Sequence, residues 1–150
     1  MTNKTVTRSI TKPVLNKSLA KPQKLIRKKP WILVVEDNED NLLYHTTILE
    51  LSNYQILQAS DGKSGLDISM DKSPDLILLD IVMPKMSGIE VIEALKRNLL
   101  TNHIYIIAIT GLASEDQIKI IMDAGCDDYL LKPFYIEQLE EKLNIFLNRD

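Results

Sequence analysis

The chain has 150 residues, 18 of them basic and 21 acidic, a size that suits one domain able to bury a real core and asks for no second. Charge is unevenly divided: residues 1–30 carry nine Lys and Arg and no acid, while the remainder sets nine basic against 21 acidic residues, a net −12, which argues against direct nucleic-acid binding by the body. The single cysteine, Cys126, excludes an internal disulfide, no apolar stretch reaches the ~18 residues that span a bilayer, and no apolar secretory leader is present, so a soluble, cytoplasmic protein is expected.

Residues 1–30 hold scattered apolar side chains, repeated Lys, Ser and Thr, and Pro13, Pro22 and Pro30, too little to offset ordering entropy. They are expected to form a disordered basic arm, open to three readings: a solvated tail, a partner- or surface-binding arm, or a transit segment. The run Trp31-Ile32-Leu33-Val34-Val35 closes on Glu36-Asp37 and predicts a strand over 31–36, followed by a helix over 38–52. A second strand over 54–59 leads through Asp61-Gly62 into a helix over 62–71. Leu76-Ile77-Leu78-Leu79 predicts a strand over 75–80 that ends on Asp80, and Ser87 with Glu90 at capping-box spacing opens a helix over 88–98.

Tyr105-Ile106-Ile107-Ala108-Ile109 predicts a strand over 105–109, closed by Thr110. Ser114 with Gln117 opens a helix over 114–124, which Gly125 stops. A strand over 128–131 then delivers Lys132-Pro133, and Ile136, Leu139, Leu143 and Phe146 or Leu147 recur at helical spacing over 136–148. Most strands are continuously apolar, as strands covered on both faces are. Five β-α units in register predict an α/β fold, a doubly wound five-stranded parallel sheet of flavodoxin-like order 2-1-3-4-5.

In such a sheet ligands bind outside the carboxyl ends of the strands, so Glu36-Asp37, Asp80, Thr110 and Lys132 are expected to meet in one crevice. Three carboxylates together repel one another unless a cation compensates, and a divalent metal and Lys132 are the natural compensators. Oxygen-only ligands select a hard ion such as Mg²⁺, and the lack of His or Cys at these strand ends argues against zinc. Taken singly, each residue has an ordinary alternative: Glu36-Asp37 as a helix cap, Asp80 as a turn former, Lys132 as a solvated lysine. Four matching strand ends make coincidence the weaker reading. Asp61 reads as a turn residue on a strand too far out to join the crevice. His45 and His103 read as surface or packing residues, and Met83, Met86 and Met122 as loop or core filling.

The segments Val35-Glu36-Asp37-Asn38, Leu79-Asp80-Ile81-Val82-Met83-Pro84, Ser87-Gly88, Ile109-Thr110-Gly111, Ala124-Gly125-Cys126-Asp127-Asp128-Tyr129 and Leu131-Lys132-Pro133-Phe134 resemble, as a set, the receiver domain of two-component response regulators. The resemblance covers 31–150 and leaves the arm unmatched. It implies that Asp80 accepts a phosphoryl group from the phosphohistidine of a histidine kinase or histidine phosphotransfer protein. It also implies that Asp37, Asp80 and the backbone carbonyl of Val82 bind Mg²⁺ directly, with Glu36 acting mainly through metal-bound water. Thr110 would then donate its hydroxyl to the phosphoryl oxygens, Lys132 would bridge them, and Tyr129 would turn inward as the reporter of the switch. The face over 114–148 would read the change out to a downstream protein target. The resemblance further implies a cis Lys132-Pro133 bond and a signalling module, not an enzyme.

Three other functions are weighed against this. An aspartyl-phosphate hydrolase of the haloacid dehalogenase type needs an acid two residues after its aspartate, where this chain has Val82. A flavodoxin-like nucleotide or flavin binder needs a Gly-rich phosphate loop after the first strand, and none follows Glu36. A phosphorylation-independent pseudo-receiver is disfavoured by the intact set Glu36, Asp37, Asp80, Thr110 and Lys132. No output domain follows the fifth predicted helix, so action through a partner is expected, either as a diffusible regulator or as a relay carrier. Val82 and Leu112, two positions after Asp80 and Thr110, are both apolar and are expected to slow attack of water on a phosphorylated Asp80.

Overall fold

The computed structural model describes residues 27–111 and 114–147. The expected arm up to residue 26, Leu112 and the last three residues lie outside them. Strands β1 (Trp31–Val35), β2 (Gln55–Ala59), β3 (Leu76–Asp80), β4 (Tyr105–Thr110) and β5 (Asp128–Leu131) alternate with helices α1 (Glu39–Leu51), α2 (Gly62–Lys72), α3 (Gly88–Arg97), α4 (Glu115–Asp123) and α5 (Ile136–Leu147). The strands form one sheet in the order β2-β1-β3-β4-β5, every pair parallel, the doubly wound arrangement the sequence predicts.

Alternation along each strand sends side chains to two cores, one on each face of the sheet. Leu33, Val35, Ile77, Leu79, Ile106 and Ala108 pack with Val91, Ile92 and Leu95 of α3 and Ile121 of α4. Ile32, Val34, Leu76, Leu78, Ile107 and Ile109 pack with Leu49 of α1 and Leu139 and Leu143 of α5. All five residues of β3 are buried. Each large aliphatic side chain in it contributes roughly 1.5–3 kcal/mol, so the strand that ends in Asp80 is among the most firmly held in the molecule.

Helix starts follow side-chain chemistry. The backbone N–H groups of Asn41, Ser64, Glu90 and Gln117 donate to Asn38 Oδ1, Asp61 Oδ1, Ser87 Oγ and Ser114 Oγ, at 2.9, 2.8, 3.4 and 3.2 Å, satisfying donors that a helix N-terminus leaves free. Asp61, two residues past the outermost strand β2, is thus the N-cap of α2 and is not among the three clustered acids of the crevice. After α4 the chain turns at Gly125 with φ 117°, a left-handed value that favours glycine. Cys126 is buried, with Sγ 3.5 Å from the Ile121 carbonyl oxygen.

Arg27, within the expected arm, touches the body. Arg27 donates to the Ser73 and Lys72 carbonyl oxygens at 3.0 and 2.9 Å and pairs with Asp75 at 3.5 Å, while its guanidinium carbon lies 4.1 Å from the centroid of the Trp31 ring. Those carbonyls end α2, where a cation meets the negative end of the helix dipole. Asp75 Oδ2 also accepts from the Trp31 N–H at 2.8 Å, so one carboxylate joins Arg27, β1 and the approach to β3.

Candidate functional site

The carboxyl edge of the sheet brings together most of what the strand ends promise. Glu36 follows β1 and is held in line by its N–H, which donates to the Ala59 carbonyl at 3.0 Å. Asp80 closes β3, and Lys132 follows β5. Lys132 Nζ lies 3.4 Å from Asp80 Oδ1 and 3.6 Å from Glu36 Oε1. One carboxylate oxygen from each of Glu36, Asp37 and Asp80 falls within 4.8 Å of the others. Glu36 and Asp80 are buried while Asp37 faces solvent, so the cluster opens outward on its Asp37 side.

Three acids against one lysine leave an excess of negative charge in a half-enclosed space. Burial first, and then the neighbouring Glu36 carboxyl, push the Asp80 carboxyl up to about 7 against the pull of Lys132. A group so destabilised as an anion is suited to neutralisation by a cation or by a covalent substituent. The donors are all oxygens at short mutual range, which fits a hard divalent ion. Glu36 Oε2 also accepts from the Asn38 N–H at 3.3 Å, fixing that carboxylate from behind.

Thr110 ends β4 fully buried, and its carbonyl accepts from the Lys132 N–H at 2.9 Å. Asp80 pairs across the sheet with Ile109, and Thr110 with Leu131, so hydroxyl and carboxylate stand at the ends of adjacent strands. Tyr129 pairs with Ala108 two residues back from the Thr110 pair. Its ring is half-buried against the core on the α3 and α4 side. Val82 is exposed in the loop after β3, and Lys132-Pro133 is cis.

Asp127 and Asp128 serve the scaffold and not the crevice. Asp127 Oδ2 accepts from the Ile106 N–H at 2.8 Å, and Asp128 Oδ2 pairs with Lys142 at 2.9 Å. His103 lies near Ser73, its Nε2 3.4 Å from Ser73 Oγ, at the far end of the sheet. Met83 is buried and Met86 half-buried against the core, as the filling role requires, while Met122 is more exposed.

Two features beside the site carry little signal in the sequence. Gly88 opens α3 so close to the end of β3 that a Cβ there would lie 2.6 Å from both the Asp80 carbonyl oxygen and the Ile81 Cα. The Ser87-Gly88 helix start was the one available sign. His45 of α1 is buried, its ring stacked on Phe134 at 5.6 Å and 17°, and its Nδ1 has no hydrogen-bond partner among the described residues. It lines a cavity of about 460 Å³ together with Asn41, Tyr44, Lys132, Pro133 and Phe134. A lone histidine in a helix of weak amphipathic pattern gives no hint of that packing.

Comparison with known proteins agrees with this geometry. Residues 32–144 match the family described as the response regulator receiver domain. The chain is similar to the polar-differentiation response regulator DivK of Brucella ovis, 34% identical over 116 residues that cover 77% of this chain and 94% of the relative. Among solved structures it resembles the receiver domain of the sensor histidine kinase PA1611 of Pseudomonas aeruginosa, described with a magnesium ion coordinated in its active-site cleft. That match has a TM-score of 0.76 and 26% identity, covering 81% of this chain and 99% of the other. A CheY-like receiver domain protein from Methanospirillum hungatei matches with a TM-score of 0.75 and 30% identity over 81% of this chain and 95% of its own.

Proposed function

This chain belongs to the response regulator receiver domain family, and on that footing we propose that it is a phosphoacceptor of a two-component or phosphorelay system, with Asp80 as the acceptor. The observation that carries the reading is the Asp80 carboxylate itself, buried, raised in pKa and 3.4 Å from Lys132. The donor is the phosphohistidine of a histidine kinase or a histidine phosphotransfer protein. An Asp80 oxygen attacks phosphorus, the P–N bond of the donor breaks, and its electron pair returns to the imidazole. Phosphoryl transfer is chiefly positioning and charge neutralisation, and the crevice supplies both.

Asp37, Asp80 and the Val82 carbonyl are the residues to hold Mg²⁺, with Glu36 acting through water. The bound ion would supply positive charge against the carboxylates and the incoming phosphoryl group. Lys132 donates to the phosphoryl oxygens from the opposite side, exchanging its present contacts with Asp80 and Glu36 for that one. Thr110 donates its hydroxyl to the same group. Tyr129, two residues back on the neighbouring strand and half-buried, reports the change by its ring position. The readout face runs over 114–148, where a downstream protein target docks.

The test is intact-mass measurement after incubation with acetyl phosphate and Mg²⁺. One added phosphoryl group is expected, absent from an Asp80→Asn variant and lost when the metal is chelated. Equal labelling of the Asp80→Asn variant would overturn the assignment.

A further inference from the structure

Far from the acid crevice, at the end of the sheet where the strands begin, an exposed apolar patch lies beside the point where the described chain starts. Met70, in the last turn of α2, is 44% exposed, and Leu99 and Leu100, just after α3, are 61% and 49% exposed. Asn98 joins the three into one surface. Its Nδ2 donates to Met70 Sδ at 3.3 Å, and its Oδ1 accepts from the Leu100 N–H at 2.8 Å.

The described chain enters at the same place. Arg27 is fixed on the carbonyls of Lys72, the last residue of α2, and of its C-cap Ser73. At ~1.5 Å rise per residue Lys72 lies about 3 Å along the axis from Met70. Ser73 also sits beside His103, at 3.4 Å, close after Leu99 and Leu100 in the chain. Leu25 and Ile26 directly precede Arg27, and two residues of extended chain reach roughly 7 Å. They are the arm residues tethered most closely to the Arg27 anchor, and so to the end of α2 that carries Met70.

Charge points the same way. Lys21 and Lys24 precede Leu25 with no acid anywhere upstream, while Asp67 and Asp71, one turn apart on α2, are both exposed. The segment Lys21-Pro22-Gln23-Lys24-Leu25-Ile26 thus leads into a surface that offers Asp67, and Asp71 at 3.7 Å from Lys72, beside exposed Met and Leu.

We propose that residues 21–26, which lie outside the described residues, dock back on this end of the molecule, with Leu25 and Ile26 covering Met70, Leu99 and Leu100, and Lys21 and Lys24 beside Asp67 and Asp71. The occupant is a segment of this chain, positioned by the Arg27 anchor. Docking closes the ends of α2 and α3 and removes an apolar patch through which two copies would otherwise associate. It is independent of the chemistry at Asp80.

The experiment uses the whole chain labelled with [methyl-¹³C]methionine, the Met70 resonance being assigned by its loss in Met70→Leu. A Leu25→Ser/Ile26→Ser variant keeps Arg27 and is expected to shift the Met70 methyl toward its solvent-exposed position. The Met83 and Met86 resonances of the core should stay in place and report that the fold is intact. Trypsin should cut after Lys24 several-fold faster in the variant than in the wild type. An unmoved Met70 resonance with unchanged cleavage overturns the proposal. A Met70 shift that disappears on dilution of the wild type also overturns it, because it assigns the patch to a second copy.

Discussion

Gly88 presses against the main chain of Asp80, so closely that a single added methyl would meet the Asp80 carbonyl oxygen at 2.6 Å. The same glycine donates its N–H to the Ile81 carbonyl at 2.8 Å, drawing the helix start and the strand end together. The loop between them, which carries Val82, is thereby held in a fixed path.

Alanine normally favours a helix by about 1 kcal/mol over glycine. Gly88→Ala is nevertheless expected to destabilise the protein by about 1–3 kcal/mol, because rigid backbone has to move aside. Urea unfolding of the two proteins checks the sign. Phosphorylation by acetyl phosphate should slow as well, since the displaced atoms belong to Asp80, the proposed acceptor.

The charge on Asp80 carries a stability cost that depends on pH. Its folded pKa of about 7 lies above the ordinary value of 3.8, so the folded state binds more protons between these limits and stability falls as pH rises through them. Without metal at pH 8, Asp80→Asn is expected to unfold roughly 1–3 kcal/mol later than wild type, with the gain vanishing near pH 4. Added Mg²⁺ should raise the midpoint of the wild type more than that of the variant. Parallel denaturation curves at the two pH values, with and without Mg²⁺, decide it.

His45 works in the opposite direction. Burial first, then the nearby Lys132, hold its pKa below the usual 6.5, opposed by Asp80. The unfolded chain therefore binds a proton that the folded one refuses, and His45 withdraws stability as pH falls below about 6.5. His45→Phe, which keeps an aromatic ring against Phe134, should lose less stability than wild type between pH 7 and pH 5. An identical loss in both proteins would place the acid sensitivity elsewhere.

Val82 is 62% exposed beside the acceptor, and its side chain has no group with which to orient a water. Val82→Asn is expected to shorten the lifetime of the phosphorylated protein by a factor on the order of ten, or ~1.4 kcal/mol in barrier. Decay of the phosphorylated species by intact mass, at fixed Mg²⁺ and pH, is the measurement. Leu112, the second apolar position in that expectation, lies outside the described residues.

Sequence pattern was most legible where one local rule decided the outcome. Apolar runs closed by a polar residue located β1, β3, β4 and β5, the first three because a strand buried on both faces has no freedom to alternate, whereas β2, with Gln55 and Gln58, does not follow that rule. The acids and the lysine at their ends came with them. Thr110 joins β4 as its last residue instead of just following it, a shift of one position that leaves its place at the edge unchanged. Contacts between distant segments were not legible. Arg27 was hidden in the arm, since nothing in its neighbours announces that Lys72 and Ser73, some 45 residues away, present carbonyls to it. His45 was hidden for the same reason, its aromatic partner Phe134 coming from the other end of the domain.

The burial of β3 along its whole length, set against the short, partly exposed β5 at the sheet edge, gives the molecule a gradient of stiffness. Local opening starts where few contacts must break and reaches the centre last. Asp80, in its proposed role as acceptor, would keep its aim through thermal motion because it is mounted on the fully buried strand. Tyr129, in its proposed role as reporter, would sit on a softer edge strand that a few kilocalories can move. On the proposed roles, chemistry and message would be separated mechanically, and a substitution that loosened β3 would blur the first without sharpening the second.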